Sequence, residues 1–139
     1  MSKQNAAVIT ATLAAGSTTS PYFFEVNISQ RLCNKSCVEA QPSFNPIFTM
    51  KSVSNVGTGQ YVATIHIEGV IAYTPCDGNV CCTKTQLISQ DFTIPFASAT
   101  APTSATVASG APINIIAGSH CQKCSRQFVS EVPITLTVA

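Results

Sequence analysis

Seven cysteines are the side chains of this sequence best equipped for chemistry, and they fall in three short groups. Cys33 and Cys37 bracket "CNKSC", Cys76, Cys81 and Cys82 crowd into "CDGNVCC", and Cys121 and Cys124 lie in "HCQKC". Thiols so grouped serve as metal ligands, redox pairs, nucleophiles, internal staples or cross-links between chains. A structural zinc site needs four thiolate or imidazole ligands. Cys33, Cys37, Cys121 and Cys124 supply four, with His120 as a substitute for one. That alternative leaves Cys76, Cys81 and Cys82 without a role. A chain of 139 residues also buries a core without help from a metal. A redox CxxC belongs at a helix N-terminus, where the helix end lowers the thiol pKa. Here "CQKC" runs into "SRQFVSEVPITLTV", which alternates like a strand. A nucleophilic thiol needs a neighbouring base. The two histidines are His66 and His120, and His66 falls on the polar face of an alternating run, as an ordinary surface residue does. The sequence contains no nucleophile elbow, HExxH helix or phosphate loop. It reads as non-enzymatic, with no cofactor and no resident metal.

Disulfides fit the grouping better. Seven is odd, so full oxidation within one chain leaves a thiol over, and that thiol points to pairing between chains. Adjacent side chains in extended backbone point to opposite sides. Cys81 and Cys82 therefore do not readily serve one partner, and a bond between them is strained. The natural use of the pair is one staple within the domain and one thiol turned outward. All seven cysteines are cross-link candidates, with "CDGNVCC" as the junction.

The elements that position these groups are strands. In "YFFEVNISQRL", Tyr22, Phe24, Val26, Ile28 and Leu32 share one face. In "QYVATIHIEGVIAY", Tyr61, Ala63, Ile65, Ile67, Ile71 and Tyr73 do the same. "QLISQDFTIPF" and "FVSEVPITLTV" alternate likewise, and "AVITATLA", "PIFTMKSV" and "INIIAG" are shorter candidates. The pattern predicts an all-β chain, a two-sheet antiparallel sandwich or jelly roll of about seven or eight strands. Each cysteine group sits at a strand end. Pro95 and Pro133 interrupt alternating runs, which suggests edges or bulges. The small-residue stretch 97–112 suits either a loop or a strand of small side chains. Residues 21–139 form one β-sandwich domain. Residues 1–20 read as an arm with a weak strand, in which Val8, Ile9, Ala11 and Leu13 are the contact residues. A "GSTTS" linker follows. The arm is expected to add a strand to a second copy of the chain. The alternative is that it folds back as the first strand of its own sheet.

Composition narrows the class. Seven basic and six acidic side chains give a net charge of +1, with the basic residues scattered. That is no footprint for nucleic acid or an anionic membrane. No run reaches the ~18 consecutive apolar residues of a spanning helix. The opening residues lack the apolar core of a signal peptide, so export by the general route is not expected. Ser and Thr number 31, and a surface of Ser, Thr, Ala and Asn is better suited to packing on itself than to keeping a monomer in solution. The sequons at Asn27 and Asn34 read as chance without an export signal.

An all-β, Thr/Ser/Ala-rich, cysteine-bearing chain with a detachable N-terminal segment resembles the endospore appendage fibre subunits of spore-forming bacteria. The resemblance implies jelly-roll domains stacked into fibres and joined by disulfides through N-terminal connectors. This chain departs from that pattern in that its first cysteine is Cys33. "YVATIHIEGVIAYTPCDG" with "FTIPFAS" is also similar to the strand pattern of the SPOCS domain of spore coat proteins. The expectation is a self-assembling structural subunit of an extracellular fibre or coat on a spore. It would be a homopolymer cross-linked by disulfides, without nucleic acid or membrane partners. A phage or virus decoration or fibre protein, and a zinc-stabilised binding domain, are the alternatives.

Overall fold

Alternation of apolar and polar side chains is carried into long antiparallel strands. The computed structural model describes residues 7–32, 37–38, 42–73, 75–77, 80–81, 84–118 and 126–139. The strands in chain order are β1 (Val8–Leu13), β2 (Tyr22–Leu32), β3 (Cys37–Val38), β4 (Ile47–Gly57), β5 (Gln60–Tyr73), β6 (Pro75–Asp77), β7 (Val80–Cys81), β8 (Lys84–Ala97), β9 (Ala105–Ser109), β10 (Ile113–Gly118) and β11 (Arg126–Val138). Among the described residues there is no helix. One sheet has the order β1-β2-β11-β10, with β9 also on β11; the facing sheet is β4-β5-β8. Together they form the antiparallel β-sandwich that the periodicity predicts.

The core lies between the sheets and is made of the predicted faces. Val26, Ile28, Ile65, Ile67, Ile71, Ile94, Phe128, Val132 and Leu136 are fully buried. Burying each such side chain contributes about 1.5–3 kcal/mol before the entropy of ordering is subtracted. Aromatic rings close both ends. Phe96 lies between Tyr22 and Tyr61 at 5.3 and 5.7 Å, and Phe44 meets Phe128 edge-on at 5.2 Å. Ser130 is a polar side chain in the core, and its hydroxyl donates to Asn114 Oδ1 at 2.7 Å. Asn114 Nδ2 donates in turn to the Phe44 carbonyl at 3.3 Å.

The prolines sit where the ladders tolerate a missing N–H. Pro95 is on β8, which among the described residues pairs as a strand only with β5. Pro133 is in a central strand, beside an irregularity: β9 and β10 follow one another along the same edge of β11, separated by residues 110–112. Its carbonyl accepts from Gly110 N at 2.8 Å. The N–H and C=O of a strand residue face the same neighbour, so the missing donor falls at this break. The small-residue stretch 97–112 contains β9.

Residues 1–6 lie outside the described residues. Val8–Leu13 pairs within its own chain, with Val8 opposite Ser29 and Leu13 opposite Phe24. Ile9 and Ala11 pack on the core, whereas Val8 and Leu13 are exposed. Leu13 therefore does not share the inward face with Ile9 and Ala11. Gln90 on β8 clamps the start of the strand: its Nε2 donates to the Ala7 carbonyl at 2.9 Å, and its Oε1 accepts from Ala7 N at 3.2 Å.

Gly69 exists to admit a ring. A Cβ there would lie 2.6 Å from Phe44 Cε1 and 3.1 Å from Pro46 Cα. Phe44 is 1% exposed and has no room to withdraw. Gly69→Ala is expected to cost about 1–3 kcal/mol by overpacking. Gly57→Ala, whose Cβ meets nothing closer than 3.6 Å, should stay within about 0.5 kcal/mol of the native chain. Urea denaturation midpoints of the two variants check this.

Candidate functional site

β5 and β8 pair without a break from Gln60 opposite Ala97 to Tyr73 opposite Lys84. The same register continues into the short strands, with Cys76 opposite Cys81 and Asp77 opposite Val80. The sheet β3-β6-β7 is thus the tip of one long hairpin. On its other flank β3 joins, with Cys37 opposite Cys76 and Val38 opposite Pro75. Cys37, Cys76 and Cys81 occupy one row across three adjacent strands. Cys33, Cys82, Cys121 and Cys124, and with them three of the four ligands of the zinc alternative, lie outside the described residues, as does His120.

The strand ends that flank those four meet at the same end of the sandwich. Leu32, the last residue of β2, is opposite Arg126, the first of β11, and Gly118, the last of β10, is also opposite Arg126. Gln86, near the start of β8, donates from Nε2 to the Arg31 carbonyl at 3.4 Å, which joins this end of the first sheet to the base of the hairpin tip. Cys33 follows Leu32 in sequence, and Cys121 and Cys124 belong to the connection from Gly118 to Arg126. All three groups are therefore attached to strand ends that converge at one end of the domain.

No protein-family model, curated protein or solved structure matches the chain. What it can do rests on its own groups.

A second cluster was not singled out from the sequence. On the solvent face of β4-β5-β8, His66 is directly opposite Asp91 and Glu68 is directly opposite Ser89. His66 Nδ1 is 2.7 Å from Asp91 Oδ1, and its Nε2 is 3.2 Å from Ser89 Oγ and 3.4 Å from Glu68 Oε1. Ser89 Oγ also donates to Glu68 Oε1 at 3.2 Å. Lys51, at a register shift in β4, reaches Asp91 Oδ2 at 3.1 Å. The signal for this cluster was two polar doublets at strand spacing, His66/Glu68 and Ser89/Asp91, on neighbouring runs.

Hydroxyl, imidazole and carboxylate stand in the order of a nucleophilic triad, but the electrostatics favour an ion network. The hydrogen bond to Asp91 holds the His66 pKa above its ordinary 6.5, with partial burial opposing and Glu68 assisting. An imidazolium donates from both nitrogens and takes no proton from Ser89. The same bond, followed by Lys51, holds Asp91 below its ordinary 3.8. The cleft lined by Thr18, Ser20, Tyr22, Ala97 and Ser98 lies at the end of the sandwich away from the cysteines, and its lining brings no acid–base pair to it.

The signs of the two shifts set a pH window. A raised histidine stabilises the fold fully below 6.5 and ceases to do so as pH rises through its folded value. A depressed aspartate stabilises above 3.8 and loses that effect as pH falls through its folded value. The network is strongest between these limits. In an NMR titration His66 should titrate above 6.5, and Asp91→Asn should bring it down. A native value at or below 6.5 contradicts the assignment.

Proposed function

We propose that the chain is a structural, self-assembling subunit of an extracellular fibre or coat, cross-linked by disulfides between copies. An endospore appendage is the setting its resemblance favours. The observation that carries this reading is the convergence of three cysteine-bearing connections on one end of the sandwich, with Cys37, Cys76 and Cys81 in one row at a hairpin tip. A staple that merely held the core together would have no reason to gather there, because the core is already closed by aromatic rings and buried isoleucines. Seven cysteines on connections that meet at one pole leave at least one thiol per chain to pair with another copy, and a chain that spares three there can join more than one neighbour.

Two further features support the reading. Among the described residues β4 and β8 each pair with β5 alone, and exposed Ile47 and Val70 lie on their sheet. Open edges of this length attract other strands unless a neighbour covers them. Among the described residues β1 also has a single partner strand, so a neighbour's β1 can replace it in the same register, which would make residues 1–20 the connecting arm.

Native material should run as a ladder, or fail to enter a gel, without reductant, and collapse to a band near 14.6 kDa with it. Electron micrographs of the same sample should show filaments or shells. A sharp monomer band without reductant and a featureless field sink the proposal. Elemental analysis separates it from the zinc alternative: well under one zinc per chain is expected. A stoichiometric zinc, lost together with the fold on chelation, would favour Cys33, Cys37, Cys121 and Cys124 as ligands.

A further inference from the structure

The row at the hairpin tip has an internal logic. Directly opposite residues of an antiparallel pair have Cα atoms about 4.5 Å apart where the pair is not hydrogen-bonded and about 5.5 Å apart where it is. Both separations fall within the roughly 4.4–6.8 Å that a disulfide spans. Cys76, on the middle strand, is thus within reach of Cys81 on one side and Cys37 on the other. The two flanking cysteines are two strand spacings apart, roughly 9.5 Å. That exceeds the ~7 Å beyond which a bridge needs backbone movement. Every disulfide formed within the row must therefore include Cys76, and every such disulfide leaves one flanking thiol.

The two choices are not equivalent. Asp77 and Val80 face each other across a two-residue connection. The closing pair of a two-residue hairpin exchanges its backbone hydrogen bonds. Pairs alternate along the ladder, so Cys76 and Cys81, the next pair, are the non-hydrogen-bonded and closer one. Backbone groups of a middle-strand residue face only one neighbour, which makes Cys37–Cys76 the wider, hydrogen-bonded pair.

We infer that Cys37, Cys76 and Cys81 form a three-cysteine exchange relay, with Cys76–Cys81 as the resting internal disulfide and Cys37 as the exchanging thiol. The inference deepens the assembly reading and, in its link to other copies, rests on it. Formation needs an oxidant, a small-molecule disulfide. The Cys76 and Cys81 thiols lose two electrons and two protons to give one S–S bond, and the oxidant is reduced to two thiols. Exchange needs none. The Cys37 thiolate attacks Cys76 Sγ, a Cys37–Cys76 bond forms, the Cys76–Cys81 bond breaks, and Cys81 leaves as the thiolate. Cys37, Cys76 and Cys81 hold successive register positions along one row, the order this displacement requires. The relay lets the tip keep an internal staple while offering a thiol on either flank to a second copy of the chain.

The test is disulfide mapping of the full chain. It is reduced, diluted to keep copies apart, reoxidised with oxidised glutathione, blocked by alkylation, cleaved before Asp77 and sequenced by mass spectrometry. Cys76–Cys81 should be the major linkage and Cys37–Cys76 the minor one, with no Cys37–Cys81. Cys81→Ser should make Cys37–Cys76 the major linkage, and Cys37→Ser should leave Cys76–Cys81 alone. A Cys37–Cys81 bond overturns the relay, and so does a Cys76 bonded mainly to a cysteine outside the row or left alkylated while Cys81 is paired elsewhere. Gels and micrographs of concentrated material answer the other question. The relay mapped in chains that never polymerise defeats the assembly reading alone, and polymers whose Cys76 pairs outside the row defeat the relay alone.

Discussion

The register between β5 and β8 is the constraint on which the other features rest. It is held without slippage over the whole length of both strands and on through the tip. Side chains alternate between faces with a period of two, so a slip of one residue would turn the entire set over. Either Ile65, Ile67 and Ile71 of β5 or Ile94 and Phe96 of β8 would leave the core for water. His66 or Asp91, whichever strand turned over, would be driven inward, and Cys76 would lose Cys81 as its partner. The hydrophobic term enforces the register, because each of several large side chains loses about 1.5–3 kcal/mol if exposed. The polar network and the cysteine row contribute little to that choice. They are positioned by it.

Antiparallel geometry then decides where the cysteines collect. A chain that runs up one strand and down the next returns its connections to two poles only. β2 ends, β5 ends, β8 begins, β10 ends and β11 begins at the same pole, tied across the sheets by Gln86 and Arg31. The other pole carries the β4–β5 turn, where Gly59 takes a positive φ of 70°, and the chain terminus at Ala139. The grouping seen in the sequence at three separate strand ends thus becomes a single chemical pole once the topology is applied.

Much of this fold was legible in the sequence because each strand carries its own evidence. The alternations beginning at Tyr22, Tyr61 and Phe128 name their buried faces without reference to one another, and Pro95 and Pro133 announce an edge and a break. Pairing order is different. That β2 lies against β11, nearly a hundred residues away, follows from how two faces share one core, which no local window contains. The His66 network was missed for the same reason. His66 with Glu68, and Ser89 with Asp91, are plain polar positions until β8 is placed against β5. The row of Cys37, Cys76 and Cys81 required two such pairings. The spacing of the cysteines suggested a junction at "CDGNVCC", but Cys37 joins it only through β3.

Edges and thiols divide the work in the proposed assembly according to how long their contacts last. Strand pairing along β4 or β8, or exchange of β1, is built from backbone hydrogen bonds, each worth only about 0.5–1.5 kcal/mol net in water. Such contacts form and dissolve readily, which allows misplaced copies to detach. Few charges stand in the way, since the sheet face that carries them already pairs Lys51 with Asp91 and His66 with Asp91 and Glu68. A disulfide removes that reversibility, and so it should form after docking rather than before. The strand ends that carry the cysteine-bearing connections meet at one pole, away from most of the length of the edges that make first contact, which separates the two events in space. A link made through exchange at Cys76 also inherits its geometry from a register that the hydrophobic core has already set, so chemistry at the pole is confined to copies whose strands are correctly seated.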